Sequence, residues 1–342
     1  MFGFLTAAPL SAILVSTLSA APIPGKTPAP DPIFSLTLEK PWGSTSYDLE
    51  HTGPDTNAAG VIGSAKIRSE LNFPVDPFRI AMGFSSYRSE NADSLTYLRT
   101  DIGFWCAVSP SFSKMRDEDW AGSEASDAPS NSISLIKISD TYSSVHSLLL
   151  GGGLHRELME IHPFREPLLL GIGLEGRFIA YELFGLSGRQ VRPDGSGWDN
   201  VEIPGSEKIG SYHTYSLQSS LDFRTGKKLL GLDWEARIHP LLFVHSDDDH
   251  MLRKKEITMD CWGAGAAVEA SLPLADWSRE PAPVARWVPF LRAELERTWG
   301  SMRQTYYADS PDTPEDETGR SISGIATTVD LWLVGAGLHF NL

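Results

Sequence analysis

Cysteine is almost absent from this 342-residue chain, with Cys106 and Cys261 the only two. A fold held by a disulfide framework is therefore excluded, and an exported protein that does without one is not. Basic residues are also scarce: 29 Lys and Arg stand against 44 Asp and Glu, for a net charge of −15. That excludes a nucleic-acid partner, whose phosphates demand a basic surface, and it favours cationic partners. Past the first two dozen residues no window holds the ~18 consecutive apolar residues a membrane helix needs, so a helical membrane protein is excluded too. The sequence lacks a Gly-x-Ser-x-Gly elbow, a phosphate loop and a Cys-x-x-Cys pair, which removes common soluble enzyme classes.

What is present begins with MFGFLTAAPLSAILVSTLSAAPIPG, an apolar run from Phe2 to Val15 followed by the small residues Ser19, Ala20 and Ala21. This is a signal-peptide layout over residues 1–21, with cleavage expected near 19–21. The Pro-rich stretch 22–32 reads as a flexible segment. Residues 33–342 show no linker or composition break, so one unit is expected there.

Within that unit the dominant period is two, the mark of strands. Between 229 and 244, Leu230, Leu232, Trp234, Ala236, Ile238, Leu242 and Val244 fall on one parity, and Asp233, Glu235, Arg237 and His239 on the other. Both charge signs in the middle of a long strand suit a wall with lipid on one face and a polar lumen on the other. The same alternation sets Leu291, Ala293 and Leu295 against Arg292, Glu294 and Glu296, and Ile172, Leu174 and Phe178 against Glu175, Arg177 and Tyr181. In 65–73 it sets Ile67, Leu71 and Phe73 against Lys66, Arg68, Glu70 and Asn72.

Strands are expected at about 33–50, 61–85, 97–109, 132–156, 167–185, 207–223, 229–245, 255–272, 287–306 and 321–342. The expectation is an all-β fold, a ten-stranded antiparallel transmembrane β-barrel of the outer-membrane type, closed because an open edge in lipid leaves backbone groups unpaired. An even count puts both ends of the barrel on the periplasmic side. The connections 51–60, 110–131, 186–206, 246–254 and 307–320 then face outward. His155 and His239 are expected as hydrogen-bonded interior side chains, and the tryptophans near strand ends or on lipid faces.

Two of the outward connections carry acid clusters, Lys114-Met115-Arg116-Asp117-Glu118-Asp119-Trp120 and His245-Ser246-Asp247-Asp248-Asp249-His250. Taken alone, such runs read as solvated surface, or as a Ca²⁺ site, for which His250 is a poor ligand. At these residues, however, the chain resembles the omptins, outer-membrane endopeptidases built as ten-stranded barrels. Met115 to Trp120 follows the family's Met-x-Asp-x-Asp-Trp pattern, and Asp248-Asp249-His250 its Asp-x-His pattern. Gly173 to Phe178 resembles a family segment on the fifth strand, and Ala336-Gly337-Leu338 the family's ending.

The resemblance implies a monomeric endopeptidase in the bacterial outer membrane with its active site facing outward. Its catalytic residues would be Asp117, Asp119, Asp248 and His250, with no metal and no cofactor. Water held between His250 and the Asp117/Asp119 pair would attack the scissile carbonyl, His250 acting as general base and Asp248 orienting its ring. Asp48 and Asp247 would meet substrate, expected to be cationic peptides or proteins. Glu175 and Arg177 match part of the family's lipopolysaccharide-binding element, which makes lipopolysaccharide a possible activator and outer-membrane lipids partners; parity allows both residues to face the lumen instead. The alternatives are a non-enzymatic barrel, such as an adhesin or narrow pore with an acidic rim, and a lipid A-modifying barrel enzyme.

Overall fold

The computed structural model describes residues 33–56, 62–75, 78–89, 97–107, 111–123, 133–161, 168–191, 198–199, 207–225, 230–251, 254–272, 286–308 and 318–341. The expected signal peptide and flexible segment lie outside them, as do the acids of 309–317. The regular elements are all strands: β1 (Ile33–Thr56), β2 (Ile62–Pro74), β3 (Arg79–Ser89), β4 (Tyr97–Ala107), β5 (Ser111–Ser123), β6 (Ser134–Ile161), β7 (Leu168–Val191), β8 (Trp198–Asp199), β9 (Glu207–Thr225), β10 (Asp233–His250), β11 (Lys255–Ser271), β12 (Arg286–Tyr306) and β13 (Ser321–Asn341). Neighbours pair antiparallel, and β13 returns to β1 from Ser35↔Asn341 to Glu50↔Ala326, which closes the sheet into a barrel.

The segments number thirteen where the sequence pattern implies ten, and the pairing explains the difference. β1 pairs with β3 along residues 33–39 and with β2 along 44–56. β6 likewise takes β5 with residues 134–145 and β4 with 148–156. Thus β2 with β3 forms one interrupted stave of the barrel, and β4 with β5 another. Pro74 ends β2. Proline has no N–H for the ladder, so a stave breaks there. β8 is a two-residue strand on the end of β7.

Several strands run further than their hydropathy suggests. The expected connection 110–131 contains β5, and residues 246–250 of the expected connection 246–254 belong to β10. Both acid clusters therefore stand on the barrel wall.

The outer face explains why. A lower band exposes Trp42, Ile172, Leu217, Phe243, Trp262, Leu291 and Trp332, the apolar girdle a bilayer requires. Above it the wall carries ion pairs: His245–Asp260 at 2.7 Å, Lys66–Glu50 at 2.7 Å and Arg68–Asp48 at 2.8 Å. The upper barrel thus stands in water. There the inside is the apolar side, with Tyr47, Leu71, Phe73, Tyr212, Ile257 and Met302 buried.

Two parity expectations change accordingly. On β2, Leu71 and Phe73 face in and Arg68 and Glu70 face out, with Arg68 lying 4.9 Å over the Trp120 ring. The lipid-out, charge-in reading of 65–73 is inverted because that stretch lies above the girdle. On β10, a bulge between Leu241 and Val244 shifts the register, so Val244 is buried while Leu242 and Phe243 face out. An extra residue in one strand moves all that follows to the opposite face.

Candidate active site at the mouth of the barrel

Four aromatic rings close the lumen just above the girdle. Tyr47 on β1 and Phe73 on β2 meet Tyr212 on β9 with ring centroids 5.4 and 5.6 Å away, and Phe73 meets Tyr181 on β7 edge-on at 6.1 Å. β7 and β9 do not adjoin β1 or β2 in the sheet. These contacts therefore cross the barrel and form a floor. Beneath it lies a cavity of about 70 Å³ lined by Thr45, Tyr47, Tyr181, Ser246, Met259 and Cys261, with Arg177 and Glu296 below. Cys261 is a free, buried thiol.

The four residues expected to be catalytic all sit on the inward face of the upper barrel. Leu71 is opposite Asp117 and Ser69 opposite Asp119, so both acids share the face of buried Leu71 and Phe73. Ser69 Oγ donates to Asp117 Oδ1 at 3.0 Å. On the other side, His250 packs edge-on against Tyr212 with ring centroids 5.4 Å apart. β5 and β10 are separated by β6, β7 and β9 around the wall. The acids and the imidazole therefore rise from well-separated parts of the wall, above one floor.

Asp248 differs electrostatically from the anionic partner the resemblance implies. It is 4 % exposed, accepts a 2.6 Å hydrogen bond from Ser246 Oγ, and takes another from the His213 backbone. At its height the wall outside carries Asp247, Asp249 and Thr258, so it stands above the girdle. Burial pushes its carboxyl up to about 8, because desolvation penalises the charged form. Near neutrality Asp248 is mostly an acid, able to donate as well as accept.

The remaining expected site residues lie elsewhere. Asp48 and Asp247 alternate with inward Tyr47 and Ser246, so they point away from the cleft; Asp48 pairs with Arg68 and Asp247 with His245 at 3.3 Å. Glu175 and Arg177 face the lumen below the floor. Arg177 is paired with Glu296 and reaches Glu294 at 3.4 Å, and Glu175 takes Arg237 at 3.1 Å. Because β7 and β12 are not neighbours, the Arg177 contacts exist only through the lumen. Of the two faces parity allowed, the structure selects the interior, and neither residue can touch lipopolysaccharide on the outer wall.

This lattice also takes in the two strand histidines, as expected. His155 Nδ1 lies 2.8 Å from Asp222, and His239 Nε2 lies 2.9 Å from Glu296. Each ring fills space left by a glycine: a Cβ on Gly173 would lie 2.4 Å from His155, and one on Gly265 would lie 2.2 Å from His239. His239, Glu294 and Glu296 bring ligand atoms within 4.8 Å of one another. Arg177 and Arg292 already neutralise the two carboxylates, which leaves little attraction for a cation.

Sequence reasoning missed the floor and the residues that support the cluster, Ser69 and Tyr212. Ser69 and Tyr212 carry no motif.

The closed antiparallel wall, apolar girdle and charged lower lumen define an outer-membrane-type β-barrel. Among solved structures, the outer membrane protease OmpT from Escherichia coli matches with a TM-score of 0.56 at 11% identity, covering 92% of this chain and 97% of that chain. The β domain of the Bordetella autotransporter BrkA matches with a TM-score of 0.28 at 10% identity, covering 89% of this chain and 99% of that one. Neither a protein-family model nor a curated protein sequence matches. At 11% identity the likeness to the protease is one of fold.

Proposed function

We propose that this protein is an outer-membrane endopeptidase whose site opens outward, hydrolysing peptide bonds with a water activated by His250 and held by Asp117 and Asp119. One observation carries the reading. Two acid motifs far apart in sequence stand on the inward face of separate parts of the wall, above a common aromatic floor that shuts the site off from the lumen. A neutral imidazole accepts a proton at physiological pH. Asp117 is oriented by Ser69 Oγ, and an ionised carboxylate is an acceptor-only group suited to holding a water by its protons. Protonated Asp248 would serve as a neutral hydrogen-bonding group beneath the histidine. A filled lumen speaks against the pore alternative. A preference for cationic peptides rests on the net charge of −15, since Asp48 and Asp247 face outward.

The test is hydrolysis of basic and uncharged peptides by the detergent-folded barrel, with and without lipopolysaccharide, beside His250→Ala and Asp117→Ala. Loss of a general base costs about 10²–10⁴ in rate, so both variants are expected to fall by at least the lower figure. Undiminished cleavage by both variants, or no cleavage of any peptide by the folded wild type, overturns the proposal.

A further inference from the structure

Three buried polar atoms inside the lumen have no hydrogen-bond partner among the described residues: Arg177 Nε on β7, Gln218 Oε1 on β9 and His239 Nδ1 on β10. Gln218 and His239 are each 2% exposed, and the Arg177 side chain 10%. Buried polar atoms are nearly always paired, because an unpaired one forfeits its hydration. These three stand together. β7, β9 and β10 are consecutive staves. Gln218 is opposed by Glu175 on one side and Leu241 on the other. That makes it the diagonal neighbour of both Arg177 and His239, within reach of long side chains. Arg177 Nη2 and His239 Nε2 also converge on one atom, Glu296 Oε1. The three atoms are thus the unspent ends of side chains already gathered at one point.

Their chemistry is complementary. The Glu296 carboxylate, paired with Arg177, only accepts, so His239 Nε2 carries the proton between them and Nδ1 of the neutral ring is a bare acceptor. Gln218 Oε1 is a second acceptor and Arg177 Nε–H a donor. A molecule that satisfies all three accepts one hydrogen bond and donates two. We propose that this is a binding site for one ordered water, and that it forms the base of a hydrated chamber. Arg177 and Glu296 also line the cavity of about 70 Å³ under the aromatic floor, with Thr214, Ser216, Ser246 and Thr298 on its wall. One water needs about 10–15 Å³ and two to four polar partners, so the chamber has room and hydroxyls for several. A buried water typically makes about three hydrogen bonds, the number its base offers. Ser246 carries the network upward, bonding Thr214 at 3.2 Å and donating to Asp248 at 2.6 Å. Solvent therefore joins the charged lattice to the buried acid beneath His250, where a dry plug would divide them. The ligand of this chamber is water, and apolar molecules of similar size are excluded from it.

The experiment is a crystal structure of the detergent-folded wild-type barrel at a resolution that orders buried water, repeated under xenon pressure. Nuclear magnetic resonance of the nitrogen-labelled barrel accompanies it, recording cross-relaxation between water and the Arg177 Nε–H. Expected are one solvent peak within hydrogen-bond distance of Arg177 Nε, Gln218 Oε1 and His239 Nδ1, a water signal at the Arg177 Nε–H, and no xenon in the chamber. Xenon enters cavities that are dry and apolar, so its binding reads the opposite state. Gln218→Leu removes one acceptor and should abolish the shared peak in a barrel that still folds. The wild-type maps decide the matter by themselves should that variant fail to fold. The inference is overturned by a map with no solvent peak touching the three atoms, by xenon in the chamber, or by a folded Gln218→Leu barrel whose water is unchanged.

Discussion

Replacing Glu296 with Gln removes a carboxylate that Arg177 and His239 share inside the lumen. The guanidinium it pairs with is itself buried, and it comes from β7, which does not adjoin β12. Deleting one partner of a buried ion pair typically costs about 3–5 kcal/mol, because the other charge is left uncompensated. Arg177 keeps Glu294 at 3.4 Å, which places the expectation at the lower end, about 3 kcal/mol. The double change Arg177→Met with Glu296→Leu removes both charges and leaves Glu294 its 2.7 Å bond to Arg292. Apolar replacement of whole buried pairs is often neutral or stabilising, so the double variant should be the more stable of the two. Urea unfolding in detergent, followed by fluorescence of the ten tryptophans, reads both. A single variant within about 1 kcal/mol of wild type, or a double variant worse than the single, would refute the lattice as an energetic unit.

Asp248→Asn tests the buried acid. Its folded value of about 8 lies above the unfolded value of roughly 3.9, so the native state binds more protons between them and stability falls as pH rises through that window. The Asn variant should lose less stability than wild type between pH 5 and 9 in urea titrations; parallel pH slopes contradict this. Gly265→Val would force a Cβ to within 2.2 Å of His239 and 2.8 Å of Glu296. Overpacking at such a site costs about 1–3 kcal/mol, and an unchanged urea midpoint would show that the lattice yields freely. Replacing both Phe73 and Tyr212 with Ala opens the floor, and should raise ion conductance in planar bilayers above that of wild type; equal conductance would mean the floor is not the barrier.

The fold was legible in the sequence where the surroundings are those of a membrane barrel. Leu291 and Leu295 alternating with Arg292, Glu294 and Glu296 identify wall and lumen from period two alone, and the structure keeps those faces. Legibility failed where the strands leave the bilayer. Residues 65–73 alternate just as regularly, but the apolar parity there belongs to the interior, and single-sequence periodicity cannot tell which solvent lies outside. The Leu241–Val244 bulge is invisible for a related reason: one inserted residue leaves both flanking patterns intact while exchanging their faces. Of the site, both motifs were readable and reach the inward face. The two acids assigned to substrate do not, because a neighbour in sequence along a strand is a neighbour across the wall.

The contacts that cross the barrel also bear on how it forms. Arg177 meets Glu296 through the lumen across a separation of 119 residues, and at the β1–β13 seam Thr37 bonds His339 across 302. Tyr47 cannot reach Tyr212 until the intervening staves are in place. Such pairings bring no return until most of the loop-closure entropy has been spent. Assembly should therefore be slow and all-or-none, with the floor, the lattice and the β1–β13 seam appearing together, and a chain halted before β13 would hold none of the three.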